Sequence, residues 1–506
     1  MKSESLARGI VRMLRWGVLA FVVLYITAFI IASLKRMSYP YELEWIEGGF
    51  LLITQRVLGG KPIYTPPSLN HIPFIYPPLY YYLTAAVARV VGVKFLALRL
   101  VSFTSALLTL LLIMHWVYRE GRSTFAALSA AGFFAGTYRL SGTWFDVGRV
   151  DSLFLFLLMG GMYLLTMTTS VTGGILAGIC FFLAAMTKQT ALPVLLPVLA
   201  YLFIRGVWRR EKRIWATELT FALPLVLSVL WLNWRTKGWF WYYTVTIPGG
   251  FPVFPHALWR FWKDDVFPYV SLAFVATLLF LWLTWARARW NTLAWYGIFF
   301  ASVFLNTWLV RSHRGSYLND LMPFHAMLAL GLGLWVAQVS HWWGRGDVWK
   351  EGPIALIVFL QLLALLYNPT LIVPDARHVA AGDQIVAKLA SIEGDVLVPF
   401  HPYLAVRAGK RPHMHIAAAY DVLRSDPDGW GQRLREETRN ILREQRFAAV
   451  VLDQPLFWLM DETTEGLLKV YYEGPLPLIS HPDAFRPMTG LRLRPGRLYI
   501  RKEHSQ

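Results

Sequence analysis

Two short stretches of this 506-residue chain place acids where chemistry could occur. In Tyr41–Gly49, YELEWIEGG, Glu44 and Glu47 stand three apart, which on a helix puts both carboxylates on one face. Such a pair beside an apolar segment could take a proton from a hydroxyl or hold a cation. A solvated helix start, where acids complement the N-terminal dipole, gives the same pattern. In Phe145–Ser152, FDVGRVDS, Asp146 and Asp151 bracket Arg149; an Arg–Asp pair closing a helix end is the plain alternative. Lys188, in MTKQTALP, offers a compact cation suited to a phosphate, or a lysine snorkelling to an interface. The stretch RSHRGSYLND, 311–320, gathers Arg311, His313, Arg314 and Tyr317. That set could bind a phosphate or diphosphate through charge-assisted hydrogen bonds, or lie on anionic lipid. His401, His413 and His415 have no acid or fourth ligand at zinc spacing, so they read as surface histidines. The single cysteine, Cys180, leaves no disulfide framework and no Cys-based metal site.

The elements that position these residues are mostly membrane helices. The chain is 56% apolar and only 16% charged, against roughly 25% charged in soluble domains. The charge is also uneven: residues 375–506 hold 35 of the 80 charged side chains. The expected division is a membrane body, 1–374, and a soluble domain, 375–506. The tail is nearly neutral, so most of the net charge of +18 belongs to the membrane part. With no strongly basic soluble segment, nucleic acid is not an expected partner. Spans need about 17–25 apolar residues. The candidates are Trp16–Ser33, Leu96–Tyr118, Phe125–Leu140, Ser152–Thr169, Gly173–Thr187, Ala191–Gly206, Ala216–Trp234, Phe267–Ala286, Leu293–Val310, Leu321–Val339 and Pro353–Tyr367. Pro77–Val91, PPLYYYLTAAVARVV, reads as an interfacial helix in the first outer loop.

The fold class expected is therefore a polytopic α-helical membrane protein of about eleven spans with a small C-terminal α/β domain. Short basic turns at Arg119–Arg122, Arg205–Arg213, Arg287–Arg289 and Arg345–Lys350 mark the cytoplasmic side. The basic start, MKSESLARGIVRMLRWG, reads as an uncleaved signal anchor with its N-terminus inside. The tail and all four charged constellations then fall together on the extracytoplasmic face of a cell (inner) membrane. Within the tail, Ala380–Ala390 and Gly431–Gln445 read as helices, Asp395–Phe400 and Phe447–Leu452 as buried strands.

The patterns EGGFLLITQRVLGGKPIY (Glu47–Tyr64), YPPLYYYLTA (Tyr76–Ala85) and ALRLVSF (Ala97–Phe103) resemble the first outer loop of the glycosyltransferase C superfamily. Similarity to bacterial family-39-like members, which resemble protein O-mannosyltransferases and lipid A aminoarabinose transferases, extends through FDVGRVDSLF, MTKQTALPVLLP and RGSYLNDLMPF, over most of residues 16–340. The resemblance implies a membrane glycosyltransferase. It would take a polyprenyl-phosphate sugar as donor, act on the outer face and invert the anomeric carbon. The acceptor, a lipid, polysaccharide or protein, stays open. Where the family carries an acidic Asp-Glu pair, this chain has Ile46 and Glu47, so Glu44 or Glu47 takes the part of base, with Asp146 and Asp151 as further catalytic candidates. Arg149, Lys188, Arg311, His313, Arg314 and Tyr317 are the substrate-binding candidates. No cofactor is assigned: a lipid phosphate already leaves well, and a divalent metal stays open. The competing classes are a transporter or lipid flippase, for which inverted repeats and midplane charges are missing, and a non-catalytic envelope-assembly scaffold.

Overall fold

The computed structural model describes all residues but 1, 314, 343–347, 426–427, 454–461, 480–483 and 503–506. Arg314 and most of the Arg345–Lys350 turn thus lie outside the described residues. The chain is a predominantly helical, multi-pass membrane protein. Among the described residues, six helices are long and apolar enough to cross a bilayer: Glu4–Met37, Phe95–Gly121, Ala191–Arg209, Lys212–Arg235, Trp290–Arg311 and Leu318–His341. Pro255–Val266 and Ser271–Ala286, bent by 99°, add a seventh if they are one broken span. Shorter apolar helices occupy Leu79–Val91, Thr124–Gly136, Asp151–Met167, Val171–Thr187 and Glu351–Leu363.

Their packing follows from residue size and polarity. Helix α1 (Lys2–Met37) carries basic residues at both ends around an apolar middle. It leads through a non-helical turn into α2 (Glu47–Leu58) and, after a loop, α3 (Leu79–Val91). Helix α3 begins just after Pro77–Pro78, as expected, and buries Tyr80 and Tyr81 while Tyr82 and Val90 stay exposed. Helices α4 (Phe95–Gly121), α5 (Thr124–Gly136), α6 (Asp151–Met167), α7 (Val171–Thr187), α8 (Ala191–Arg209) and α9 (Lys212–Arg235) follow. Gly174 and Gly178 let α7 and α9 touch backbone to backbone: a Cβ on either would lie 2.4 Å from the Arg213 or Thr217 carbonyl oxygen. Close approach through small residues is how helices associate when lipid removes the hydrophobic drive. On the far side of α9, Leu219, Leu223, Leu227, Leu230, Trp231 and Trp234 are exposed, a stripe stable only against hydrocarbon. The helix Met322–Trp342 is almost wholly buried at the centre.

The C-terminal residues build a four-stranded sheet in the order β1–β2–β4–β3. The strands are β1 (Val396–Leu397), β2 (Ala449–Leu452), β3 (Tyr472–Pro477) and β4 (Arg497–Arg501). β1 runs parallel to β2, and the other two pairings are antiparallel. Helices Ala376–Ala390 and Trp430–Arg443 stand close to their expected places. Of Asp395–Phe400 only two residues enter the ladder; Pro399 cannot donate to it. The apolar core of this unit is shared. Val396, Ala449, Val451 and Leu498 pack in one cluster with Tyr39, Tyr41, Leu43 and Val147 from the membrane body's loops. The C-terminal unit therefore sits on the segments that hold the acidic motifs.

Candidate active site

Glu44 and Glu47 do not share a helical face. Only Glu47 is helical; Ile46 caps α2, and Glu44 lies in the turn before it. The two carboxylates have separate partners. Glu47 receives Arg99 Nε at 2.9 Å and Nη2 at 2.7 Å, Leu43 N at 2.9 Å and Gly148 N at 2.8 Å. Arg99 spends its remaining donors on the carbonyls of Arg36, Tyr39 and Tyr41. Both side chains are fully buried. With four donors on two oxygens, Glu47 ties α2, α4 and the 145–150 loop together and has no lone pair aimed at a substrate.

Glu44 differs. One oxygen, Oε2, receives Arg149 Nη1 at 2.6 Å and Ile46 N at 3.2 Å; Oε1 lies against Gly490. Burial pushes the Glu44 carboxyl up and the Arg149 guanidinium pulls it down, leaving it at about 7. A carboxyl there is a competent proton acceptor and about half ionised at neutral pH. Arg149 sits among aromatic faces: its guanidinium carbon is 4.6 Å from the Phe50 ring centre, 5.4 Å from Trp144 and 5.8 Å from Tyr76. Its Nη2 donates to the Tyr76 hydroxyl at 3.3 Å. Its Nε is buried with no hydrogen-bond partner, an unspent donor on a buried cation.

Trp144 links this pair to a second cluster, donating from Nε1 to Asp151 Oδ2 at 2.8 Å. Asp151 opens α6, and its Oδ1 receives Lys188 Nζ at 2.8 Å and Asn319 Nδ2 at 2.9 Å. Lys188, just past α7, also reaches Asp320 Oδ1 at 3.0 Å. A cavity of about 10 Å³, room for one water, lies among Asp151, Lys188, Asn319 and Asp320. The ammonium is thus held between two carboxylates, and the trio carries a net negative charge.

The remaining candidates stand elsewhere. Asp146 pairs with Arg36 at 3.2 Å and accepts from the Tyr138 hydroxyl at 2.6 Å, a buried structural knot. Asp146 and Asp151 therefore do not pair with Arg149; each has its own cation from another helix. Arg311 binds Asp265 through two nitrogens at 3.0 and 3.2 Å, with Ser316 at 3.1 Å. Arg311 and His313 line a separate cavity of about 390 Å³ with Arg260, Asp264 and His256. It shares no lining residue with the Lys188 cavity. Tyr317 packs against Trp144, ring centres 5.3 Å apart and tilted by 43°, and receives Gly490 N on its hydroxyl at 3.2 Å.

Glu42, Glu44, Glu47, Asp146, Asp151, Asp264, Asp265 and Asp320 are each ion-paired, a regularity that single-sequence reading could not assign. Arg99 was the most accessible signal, since an arginine inside an apolar run implies a buried carboxylate partner. The tail histidines are not surface residues. His401 is buried between Glu42, at its Nδ1, and Asp453, 2.9 Å from its Nε2. The two acids hold its ring well above the usual range, at about 10, against the opposing effect of burial. His415 is buried against the Trp45 carbonyl at 3.0 Å, and His413 against Phe447. Among the described residues, no three His, Cys, Asp or Glu side chains converge as metal ligands.

Residues 76–234 match the family model of dolichyl-phosphate-mannose-protein mannosyltransferase. The fold is similar to the crystal structure of ArnT from Cupriavidus metallidurans bound to undecaprenyl phosphate. That match has a TM-score of 0.56 and 15% identity over 86% of this chain and 93% of that one. The apo state of the same protein matches with a TM-score of 0.56 and 14% identity, over 85% and 92%. The archaeal oligosaccharyltransferase AglB from Archaeoglobus fulgidus matches with a TM-score of 0.46 and 11% identity, over 88% and 72%. No curated protein sequence matches the chain. The family model thus covers residues 76–234, and the fold over most of the chain is similar to that of ArnT.

Proposed function

We propose that this chain is a membrane glycosyltransferase that moves a sugar from a polyprenyl-phosphate donor to an envelope acceptor, with inversion, on the extracytoplasmic face. The observation that carries the reading is the Glu44–Arg149 pair: a buried carboxyl poised near neutrality beside a cation with a free donor. The acceptor hydroxyl gives its proton to Glu44 while its oxygen bonds to the anomeric carbon. The bond from that carbon to the phosphate oxygen breaks, and the electron pair leaves with the lipid phosphate. As Glu44 becomes neutral, Arg149 loses its counter-charge at the moment the phosphate gains charge, so one proton transfer serves both ends of the reaction. The similar ArnT structure was solved with undecaprenyl phosphate, which fits a lipid-phosphate donor.

Charge balance ranks the phosphate contacts. Lys188 already faces Asp151 and Asp320, so its role here is to orient the acids; Arg149 is the better phosphate ligand. Arg311 is matched by Asp265 in the other cavity. In this reading residues 1–374 form the catalytic body and 375–506 an extracytoplasmic domain, with the N-terminus cytoplasmic. The eleven expected spans then correspond to the six helices long enough to cross, the bent pair and the four shorter helices other than α3, with α3 at the interface. The test is to incubate purified protein with polyprenyl-phosphate sugars and measure released lipid phosphate. Release that depends on Glu44 supports the proposal; parent-level release from Glu44→Gln contradicts it.

A further inference from the structure

We propose that residues 488–491 form a strap that has to lift off Glu44 before an acceptor can reach it, making the C-terminal unit the gate of acceptor entry. The inference rests on the reading of Glu44 as base. Glu44 is 1% exposed, yet a base has to meet the hydroxyl it deprotonates. Thr489 forms a parallel bridge with Glu44. Gly490, at φ +73°, comes so close that a Cβ on it would stand 2.9 Å from both Cγ and Oε1 of Glu44. The cover is thin, because the next residues, Leu491 and Arg492, are exposed.

The strap is tied to three separate loops. Thr489 N donates to the Leu43 carbonyl at 3.1 Å. The Thr489 hydroxyl donates to the Gly142 carbonyl. Gly490 N donates to the Tyr317 hydroxyl at 3.2 Å, and that hydroxyl lies 3.3 Å from Thr489 Oγ1. All of these bonds are neutral. Phe485, packed on Tyr41 at 5.0 Å, anchors one end, and β4 anchors the other from Arg497. Neutral hydrogen bonds are worth about 5-fold each in such an equilibrium. Three or four of them keep the open form at roughly one part in a few hundred, reachable by local opening without unfolding the sheet. Tyr317 is then the strap's latch, with its ring on Trp144, which bonds Asp151.

The test uses the full chain with Cys180→Ser and the pair Gly142→Cys/Thr489→Cys, each rate compared with that of the reduced pair; an ideal Cβ at Gly142, where φ is +66°, stands 3.4 Å from Thr489 Oγ1 and 2.8 Å from the Tyr317 ring, which has to yield. Oxidation should stop release of lipid phosphate in the presence of acceptor, and reductant should restore the rate of the reduced pair. Equal rates in the oxidised and reduced forms would overturn the proposal. A second arm needs no catalysis. In Thr489→Val, the amides of Thr489 and Gly490 should exchange hydrogen about 5-fold faster than in the parent, with the β2 and β4 amides unchanged. Exchange at the parent rate, or strap amides in the parent as slow as those of β2 and β4, would also overturn it. A parent that never consumes donor would count against Glu44 as base and leave the exchange result readable.

Discussion

Replacing Glu47 by Gln should damage folding, whereas the same change at Glu44 should damage turnover. Glu47 accepts four hydrogen bonds, two of them from Arg99, and both partners are fully buried. In Glu47→Gln the amide cannot accept all four, and the Arg99 charge remains in the interior without a counter-ion. Removing one partner of a buried pair costs about 3–5 kcal/mol. At about 2 °C per kcal/mol for a large domain, the melting temperature should fall by roughly 6–10 °C. Glu44 faces Arg149 at 2.6 Å, but that guanidinium also has the Tyr76 hydroxyl and three aromatic faces, so Glu44→Gln should lose clearly less melting temperature than Glu47→Gln. The assay is thermal unfolding of detergent-purified variants followed by tryptophan fluorescence, with size-exclusion profiles as a control. A Glu47→Gln protein that melts like the parent but fails to release lipid phosphate would refute the division of labour between the two acids.

Arg149→Lys keeps the charge but loses the free Nε and the planar fork; donor-lipid affinity should fall by about 10- to 100-fold, in line with 1.5–3 kcal/mol for a charged hydrogen bond. Arg311→Met, by contrast, should leave donor affinity at the parent level in the same binding titration, because its guanidinium is committed to Asp265 in another cavity. His401 couples folding to pH. Its ring is raised from 6.5 to about 10 by Asp453 and Glu42, so the stability it adds is complete below pH 6.5 and is lost as pH rises through about 10. The gap in melting temperature between the parent and His401→Gln should therefore shrink from pH 7 to pH 10.

The sequence made the multi-pass helical character legible because composition is local: long apolar runs show without any knowledge of the pairings between them. It left the pairings hidden because they are not local. Glu47 meets Arg99 across 52 positions, Lys188 meets Asp320 across 132, and Glu42 meets His401 across 359. A spacing of three suggested one helical face for Glu44 and Glu47, but the helix begins at Glu47 and Glu44 stays in the turn. That boundary, set by a chain that has to bring backbone carbonyls to Arg99, separates the proposed base from the acid that holds the scaffold. The tail histidines misled in the same way. Without a visible fourth ligand they suggested surface positions, whereas acids distant in sequence bury His401.

The most direct test of Glu44 as the base is the pH dependence of lipid-phosphate release under single-turnover conditions with saturating polyprenyl-phosphate sugar. The carboxyl must be ionised to accept a proton, so the parent rate should climb as pH rises through about 7 and level off above it. In Glu44→Gln that limb should vanish and the plateau should drop by roughly 10²–10⁴-fold, with donor affinity retained. A Glu44→Gln enzyme that keeps both the plateau and the limb near pH 7 would contradict the account.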